Sequence, residues 1–316
     1  MFKQITIVGF GLIGSSIARG VIRHGLANRI VCADLSREVC DKVKELNLAT
    51  EAYSDVSKSV KGSDLVILCV PVGAMAAVAD KIASHLEPGC IVTDVGSVKS
   101  AVINALQPRL PAKVHIVGGH PIAGTEHSGP EAGFAELFQN RWCILTPLPH
   151  TELLIIEKMT KFWEALGSNI QIMDANHHDL VLGITSHLPH LIAYTIVGTA
   201  TDLEEDLKGE VIKFSASGFR DFTRIAASDP VMWRDVFMNN KDAVLQILQR
   251  FTEDLTAMQK AIRKGDGDYL YKQFKETRDI RRAIIDAGQA NYAYPKQSAE
   301  VPAPVSAPQT KSRSSQ

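Results

Sequence analysis

Hydrophobic positions follow two regimes along the chain. Up to about residue 174, short apolar runs at 5–9, 29–33, 64–70, 90–95, 114–117, 141–146 and 169–173 alternate with amphipathic stretches at 15–24, 36–46, 72–86, 100–110 and 151–166. Strands that are apolar along their whole length, separated by helices of period 3.6, predict a parallel sheet covered on both faces. From residue 175 no strand-like alternation remains, and long helical patterns cover 176–203, 230–264 and 269–287. Ser228-Asp229-Pro230 reads as a helix start, with capping side chains before a proline at the first helical position. The pattern therefore predicts an α/β domain over 1–174 and an all-α domain over 175–290. The segment 291–316 has prolines, serines and almost no large apolar residue, so it is expected to be a disordered tail.

The helix expected at 176–203 is apolar nearly all round, with Leu180, Val181, Leu182, Ile184, Leu188, Leu191, Ile192, Ile196 and Val197. A helix without a polar face must be buried, at the centre of its domain or against a second subunit. A homodimer through the helical domain is the expectation.

Chemistry enters at the first turn. Gly9-Phe10-Gly11-Leu12-Ile13-Gly14 follows the first strand and runs directly into a helix. This G-x-G-x-x-G context is that of dinucleotide folds: Gly9 for the turn, Gly11 for close approach of a pyrophosphate, Gly14 for helix-on-strand packing. The second strand ends in Asp34, where such folds bind the adenosine ribose hydroxyls. The first domain is thus expected to be a Rossmann-like, doubly wound parallel sheet that binds NAD. Arg37, three residues on, leaves NADP open.

In an open α/β sheet, ligands bind outside the carboxyl ends of the strands. Val70-Pro71 closes the strand counted fourth, beside the expected nicotinamide position. Ser97 follows the next, in Asp94-Val95-Gly96-Ser97-Val98-Lys99. His120 follows Gly118-Gly119, two glycines expected to turn the backbone and present an imidazole able to accept a substrate proton. Ser97 reads equally as an N-cap or as a substrate contact. In the helical half, Ser186-His187-Leu188-Pro189-His190 places two histidines one turn apart beside a proline that bends the helix. No carboxylate or cysteine completes a metal set, so substrate contact or a buried pair is expected and no metal. Arg220-Asp221-Phe222-Thr223-Arg224 interleaves charge with aromatics, which suits carboxylate recognition; a solvated charged turn is the alternative.

Composition narrows the function. The 316 residues carry a formal net charge of -1, so no basic field draws nucleic acid or acidic lipid. The five cysteines are scattered and odd in number, which fits a reducing cytoplasm. No targeting or membrane segment is expected. A small-molecule substrate is the default.

Taken together, the glycine loop, Asp94 to Lys99, Gly118-Gly119-His120-Pro121-Ile122-Ala123-Gly124-Thr125-Glu126, Ser186 to His190, and Gly218 to Ala226 with Met232-Trp233 resemble the prephenate and arogenate (cyclohexadienyl) dehydrogenases of tyrosine biosynthesis. The resemblance spans roughly residues 1–290. It implies NAD(P)-dependent oxidative decarboxylation of a cyclohexadiene between a Rossmann-like domain and a helical dimerisation domain. It further implies that His120 is the catalytic histidine and that Ser97 orients the same C4 hydroxyl. By the same resemblance Arg224 holds a substrate carboxylate, and His187, His190, Thr125, Glu126 and Asp221 line or gate the pocket. A β-hydroxyacid or imine-type dehydrogenase would share the fold but usually needs a lysine in the central helix, and 176–203 contains none. A non-catalytic NAD-binding protein would leave His120, Ser97 and Arg224 idle.

Overall fold

A computed structural model describes residues 1–125, 127–201, 213 and 217–286. It divides into two compact units, Met1–Phe251 and Thr252–Gln316. The first unit joins the whole sheet to the first helices after it, so compactness does not follow the expected boundary at 174/175.

The sheet has eight strands in the order β3-β2-β1-β4-β5-β6-β7-β8. These are β1 Phe2–Val8, β2 Ala27–Ala33, β3 Glu51–Tyr53, β4 Leu65–Leu68, β5 Ile91–Asp94, β6 His115–Pro121, β7 Trp142–Pro147 and β8 Asn169–Ile172. Interleaved with them lie α1 Leu12–His24, α2 Arg37–Glu45, α3 Val56–Ser59, α4 Met75–Ile82, α5 Ser100–Leu106 and α6 Leu153–Ala165. Strand side chains alternate between two cores. Ile5, Ile7, Leu65, Ile67 and Ile91 pack on one face with Phe138, Phe162 and Trp163. Val8, Val66, Leu68 and Val92 pack on the other with Met75, Ile82 and Leu106. Each such fully buried side chain is worth about 1.5–3 kcal/mol, which is why the strands read as continuous apolar runs.

Two features depart from the expected all-parallel alternation. β3 is only three residues long, Glu51-Ala52-Tyr53, too short and too polar for a periodic signal. β7 pairs antiparallel with β6, in register Gly119 with Leu145 and His120 with Ile144. No crossover helix lies among the described residues between them, so the chain returns directly beside the strand it left.

Beyond the sheet come α7 Ala175–Leu182, a widened π turn Gly183–His187 and α8 Leu188–Thr201. The Leu188 amide bonds the Gly183 carbonyl, five residues back. Pro189 follows, with no amide to restore the ordinary ladder. The expected continuous helix is therefore broken into two phases, and its end at Leu203 lies outside the described residues. Next are α9 Ser217–Thr223, a 3₁₀ turn Arg224–Ala227 and α10 Pro230–Asn239, whose N-cap Asp229 accepts the Met232 amide. The helix expected to run from 230 to 264 is interrupted at Asn240, and α11 Lys241–Lys264 begins there. In the second unit Gly265 takes φ +69° and Asp266 caps α12 Gly267–Ile284. The tail 291–316 lies outside the described residues.

Burial of the apolar helix is less than its composition implies. In the single chain Ile184 is 53% exposed and Leu180 and Ile196 are also exposed. By length and composition alone, Ala175–Thr201 is long and apolar enough to cross a membrane. Its first turns, however, bury the polar side chains His178, Asp179 and His187.

Candidate active site

The glycine loop after β1 has the geometry its sequence predicts. Gly9 sits at φ +93°, and a Cβ there would meet the Cys69 carbonyl oxygen at 2.5 Å. A Cβ on Gly14 would land on the Gly9 carbonyl oxygen, whereas one on Gly11 would meet nothing. The α1 N-terminus receives no side-chain cap. An open approach at Gly11 and uncapped amides fit a pyrophosphate. Phe10 and Leu12, expected at the cofactor, bury their side chains in the core, so only their backbone faces the loop. Ile13 packs partly against the same core. Asp34 accepts the Phe10 amide at 2.9 Å and the Ser36 amide at 3.0 Å, which fixes its carboxylate at the loop. Val70 and Pro71 follow β4, half-buried and exposed respectively.

The glycines before His120 do not make a turn. Gly118 and Gly119 lie within β6 and have no positive φ. Their role is close approach: a Cβ on Gly118 would strike Thr146 Oγ1, and one on Gly119 would sit 2.8 Å from the Asp94 carbonyl oxygen. That proximity lets Lys99 reach under the strand. Lys99 Nζ donates to the Gly119 carbonyl at 2.6 Å and pairs with Asp94, both side chains fully buried. Asp94 in turn accepts the Gly96 amide at 2.8 Å and the Gly119 amide at 3.2 Å. Burial lowers the Lys99 pKa, with Asp94 acting in the opposite sense. This buried pair ties the ends of β5 and β6 together.

His120 is 7% exposed above this pair. Its Nδ1 lies 2.8 Å from His178 Nε2, and His178 Nδ1 lies 2.8 Å from Asp179 Oδ1. Burial, followed by the charges of His178, Lys99 and His187, holds the His120 pKa well below its ordinary value. His178 is lowered too, by burial, against the pull of Asp179. Burial would raise Asp179, but the bond from His178 and the amides of Lys99 and Ser100 outweigh it and leave its pKa lowered.

Asp179 takes the capping role weighed for Ser97. The Lys99 and Ser100 amides donate to Asp179 at 2.7 and 2.9 Å, so α5 is capped by a carboxylate from α7. Ser97, half-buried, does not cap it. His187, fully buried, has its Nδ1 3.0 Å from the Asn240 amide nitrogen, which also bonds the Asp179 carbonyl at 2.8 Å. Burial pushes His187 down to about 4, with Asp179 and the Ser97 backbone opposing. Its Nε2 makes no hydrogen bond of normal geometry. His190 donates from Nδ1 to the Ser186 carbonyl at 2.8 Å and stacks on Trp233 with centroids 3.6 Å apart.

The structure therefore brings together His120, Ser97 and His187, and links His190 to them through Trp233, whose ring also lies edge-on to His187. Arg224 contributes to the field at His190, lowering its pKa after burial. Asp221 is not part of this cluster: it pairs with Arg220 at 3.9 Å, the two side chains 76% and 74% exposed. Thr125 is half-buried and its hydroxyl accepts the His127 amide at 3.3 Å. Glu126 lies outside the described residues. Sequence reasoning missed His178, Asp179 and Asn240. The signal for the first two was the polar pair His178-Asp179 at the head of an otherwise apolar helix; Asn240 gave none.

Comparison with known proteins decides the family. Residues 17–172 match the model of the prephenate dehydrogenase nucleotide-binding domain, and 174–276 match that of the prephenate dehydrogenase dimerization domain. The chain belongs to the prephenate dehydrogenase family. Within this family it is 45% identical over 284 residues to a cyclohexadienyl dehydrogenase of Zymomonas mobilis, covering 90% of this chain and 97% of that one. Among solved structures it resembles a prephenate dehydrogenase from A. aeolicus in complex with hydroxyphenyl propionate and NAD+, with a TM-score of 0.84 and 33% identity over 90% of this chain and 99% of that one. It also resembles a Synechocystis arogenate dehydrogenase, with a TM-score of 0.76 and 28% identity over 89% and 99% of the two chains.

Proposed function

We propose that this prephenate dehydrogenase family member oxidatively decarboxylates a cyclohexadienyl acid, prephenate or arogenate, to 4-hydroxyphenylpyruvate or tyrosine, with NAD as the cofactor. The observation that carries the reading is His120: a buried imidazole, kept neutral by its surroundings, at the same edge of the sheet as a dinucleotide cradle. NAD held at the Gly9–Gly14 loop and Asp34 would supply the acceptor for the hydride of ring C4. His120 accepts the proton of the C4 hydroxyl, so that the oxygen lone pair left behind forms the carbonyl. Loss of the ring carboxylate as carbon dioxide returns its bonding pair to the ring, and the phenolate oxygen takes the proton back from His120. Ser97 orients the hydroxyl, Arg224 holds a substrate carboxylate, and His187 and His190 line the pocket. Asp34 favours NAD, because its carboxylate would repel a 2′-phosphate.

Initial rates with both cyclohexadienes against NAD and NADP, followed by nicotinamide absorbance, test this reading. Turnover of at least one of them with NAD is expected, and no reduction of either cofactor would overturn it. The pH profile follows from the lowered His120 pKa. Activity should be flat at neutral pH and fall only on acidification below about 6.5, the ordinary histidine value.

We further propose that the protein is a homodimer through its helical part. The match to a dimerization domain and the exposed apolar side chains Leu180, Ile184 and Ile196 support this assembly. Light scattering at micromolar concentration should give twice the chain mass.

A further inference from the structure

With His178 neutral, as its lowered pKa requires, the hydrogen bonds around His120 have one consistent set of directions. Asp179 is an ionised acceptor that takes the Lys99 and Ser100 amides, so His178 Nδ1 carries a proton and donates to it. A neutral His178 then has only a lone pair on Nε2. The nitrogen 2.8 Å away, His120 Nδ1, must be the donor. Asp94 is engaged by Lys99, Gly96 and Gly119, and so does not compete for this ring.

We propose that His178 and Asp179 are positioning residues that lock His120 in the tautomer protonated on Nδ1, leaving the Nε2 lone pair for the substrate hydroxyl. The use of that lone pair rests on the function proposed above; the lock itself does not. During turnover the proton arriving at Nε2 makes His120 an imidazolium. Its Nδ1–H stays hydrogen-bonded to His178, and Asp179 lies at the end of the same line. The proton at Nε2 then returns to the product oxygen, so the His178–Asp179 pair ends each cycle unchanged. Burial and the charges of Lys99 and His187 disfavour that imidazolium, whereas the acceptor line through a neutral His178 favours it.

The test reads the tautomer directly. Nitrogen-15 spectra of histidine-labelled full-length protein, with the His120 signals assigned by their loss in His120→Asn, should show Nδ1 protonated and Nε2 bare at pH 7. In Asp179→Leu the acceptor for the His178 Nδ1 proton is gone, so His178 can carry its proton on Nε2 and His120 is no longer held in the Nδ1–H tautomer. The expected result is a spectrum of mixed His120 tautomers, with kcat lower by about 10²-fold or more and KM changed by no more than about twofold. Because Asp179 also caps α5, His178→Phe is the second variant. It leaves the cap intact, removes the acceptor, and should give mixed His120 tautomers with a similar fall in kcat. Nε2–H in the wild-type spectrum would overturn the proposal, and that spectrum decides the matter even if a variant fails to fold. So would folded variants that keep both the Nδ1–H signature and wild-type kcat. A wild-type protein that turns over neither substrate would instead refute the proposed function while leaving the tautomer result standing.

Discussion

At the scale of single residues, the chemistry depends on one imidazole and on the charges beneath it. His120→Asn should lower kcat by about 10²- to 10⁴-fold with KM nearly intact, measured by steady-state kinetics, because it removes general-base help without removing binding contacts. Arg224→Ala should act the other way, mainly raising KM, since it removes a charged carboxylate partner. Lys99→Met should leave Asp94 buried without its counter-ion and cost about 3–5 kcal/mol in denaturant unfolding. A histidine at the end of an apolar run more often caps or packs, and His120 stood out in the sequence only because several strand ends open onto one crevice. Its support did not. His178 and Asp179 are neighbours on a helix, and sequence spacing gives no sign that one will face an imidazole from β6 while the other caps α5. The Arg220–Asp221 pair, whose composition suggests a site, is exposed in the single chain.

Elements carry the next level of the argument. The strand–glycine–helix order was legible because each part has a fixed geometric task. Gly14→Ala would press a methyl group onto the Gly9 carbonyl, so it should weaken NAD binding, measured by quenching or calorimetry, and also lower the Tm. The reversal of β7 and the short β3 were not legible, because strand direction depends on the path of a loop and three residues carry no periodicity. Nor was the break at Asn240, whose side chain is buried between Asp179 and His187. A polar residue in a helical pattern looks like any solvated position until its partners are known.

For the whole molecule, four histidines share one sign. His120, His178, His187 and His190 are all lowered, with burial the largest cause in each. The unfolded chain therefore binds more protons than the folded one below the ordinary histidine value of 6.5. Stability is fully present above that value and is lost as the pH falls through it toward about 4, where His187 titrates in the folded state. Thermal melts should show Tm falling between pH 7 and pH 5, and a flat profile would contradict the burial of this cluster. The change from an α/β to an all-α pattern was visible from periodicity alone. That the sheet and α7 to α10 form one compact unit was not, because the joint is made by side chains such as Asp179 rather than by any pattern along the chain.

The π turn Gly183–His187 works as a phase adjuster. Loss of one residue there would restore an ordinary turn and rotate everything upstream by about 100° relative to everything downstream. Either His178 and Asp179 would swing off the strand ends, or His187 and His190 would swing away from Trp233. The stretch from Asp179 to His190 should therefore tolerate no change of length, even where Asp179, His187 and His190 are all kept.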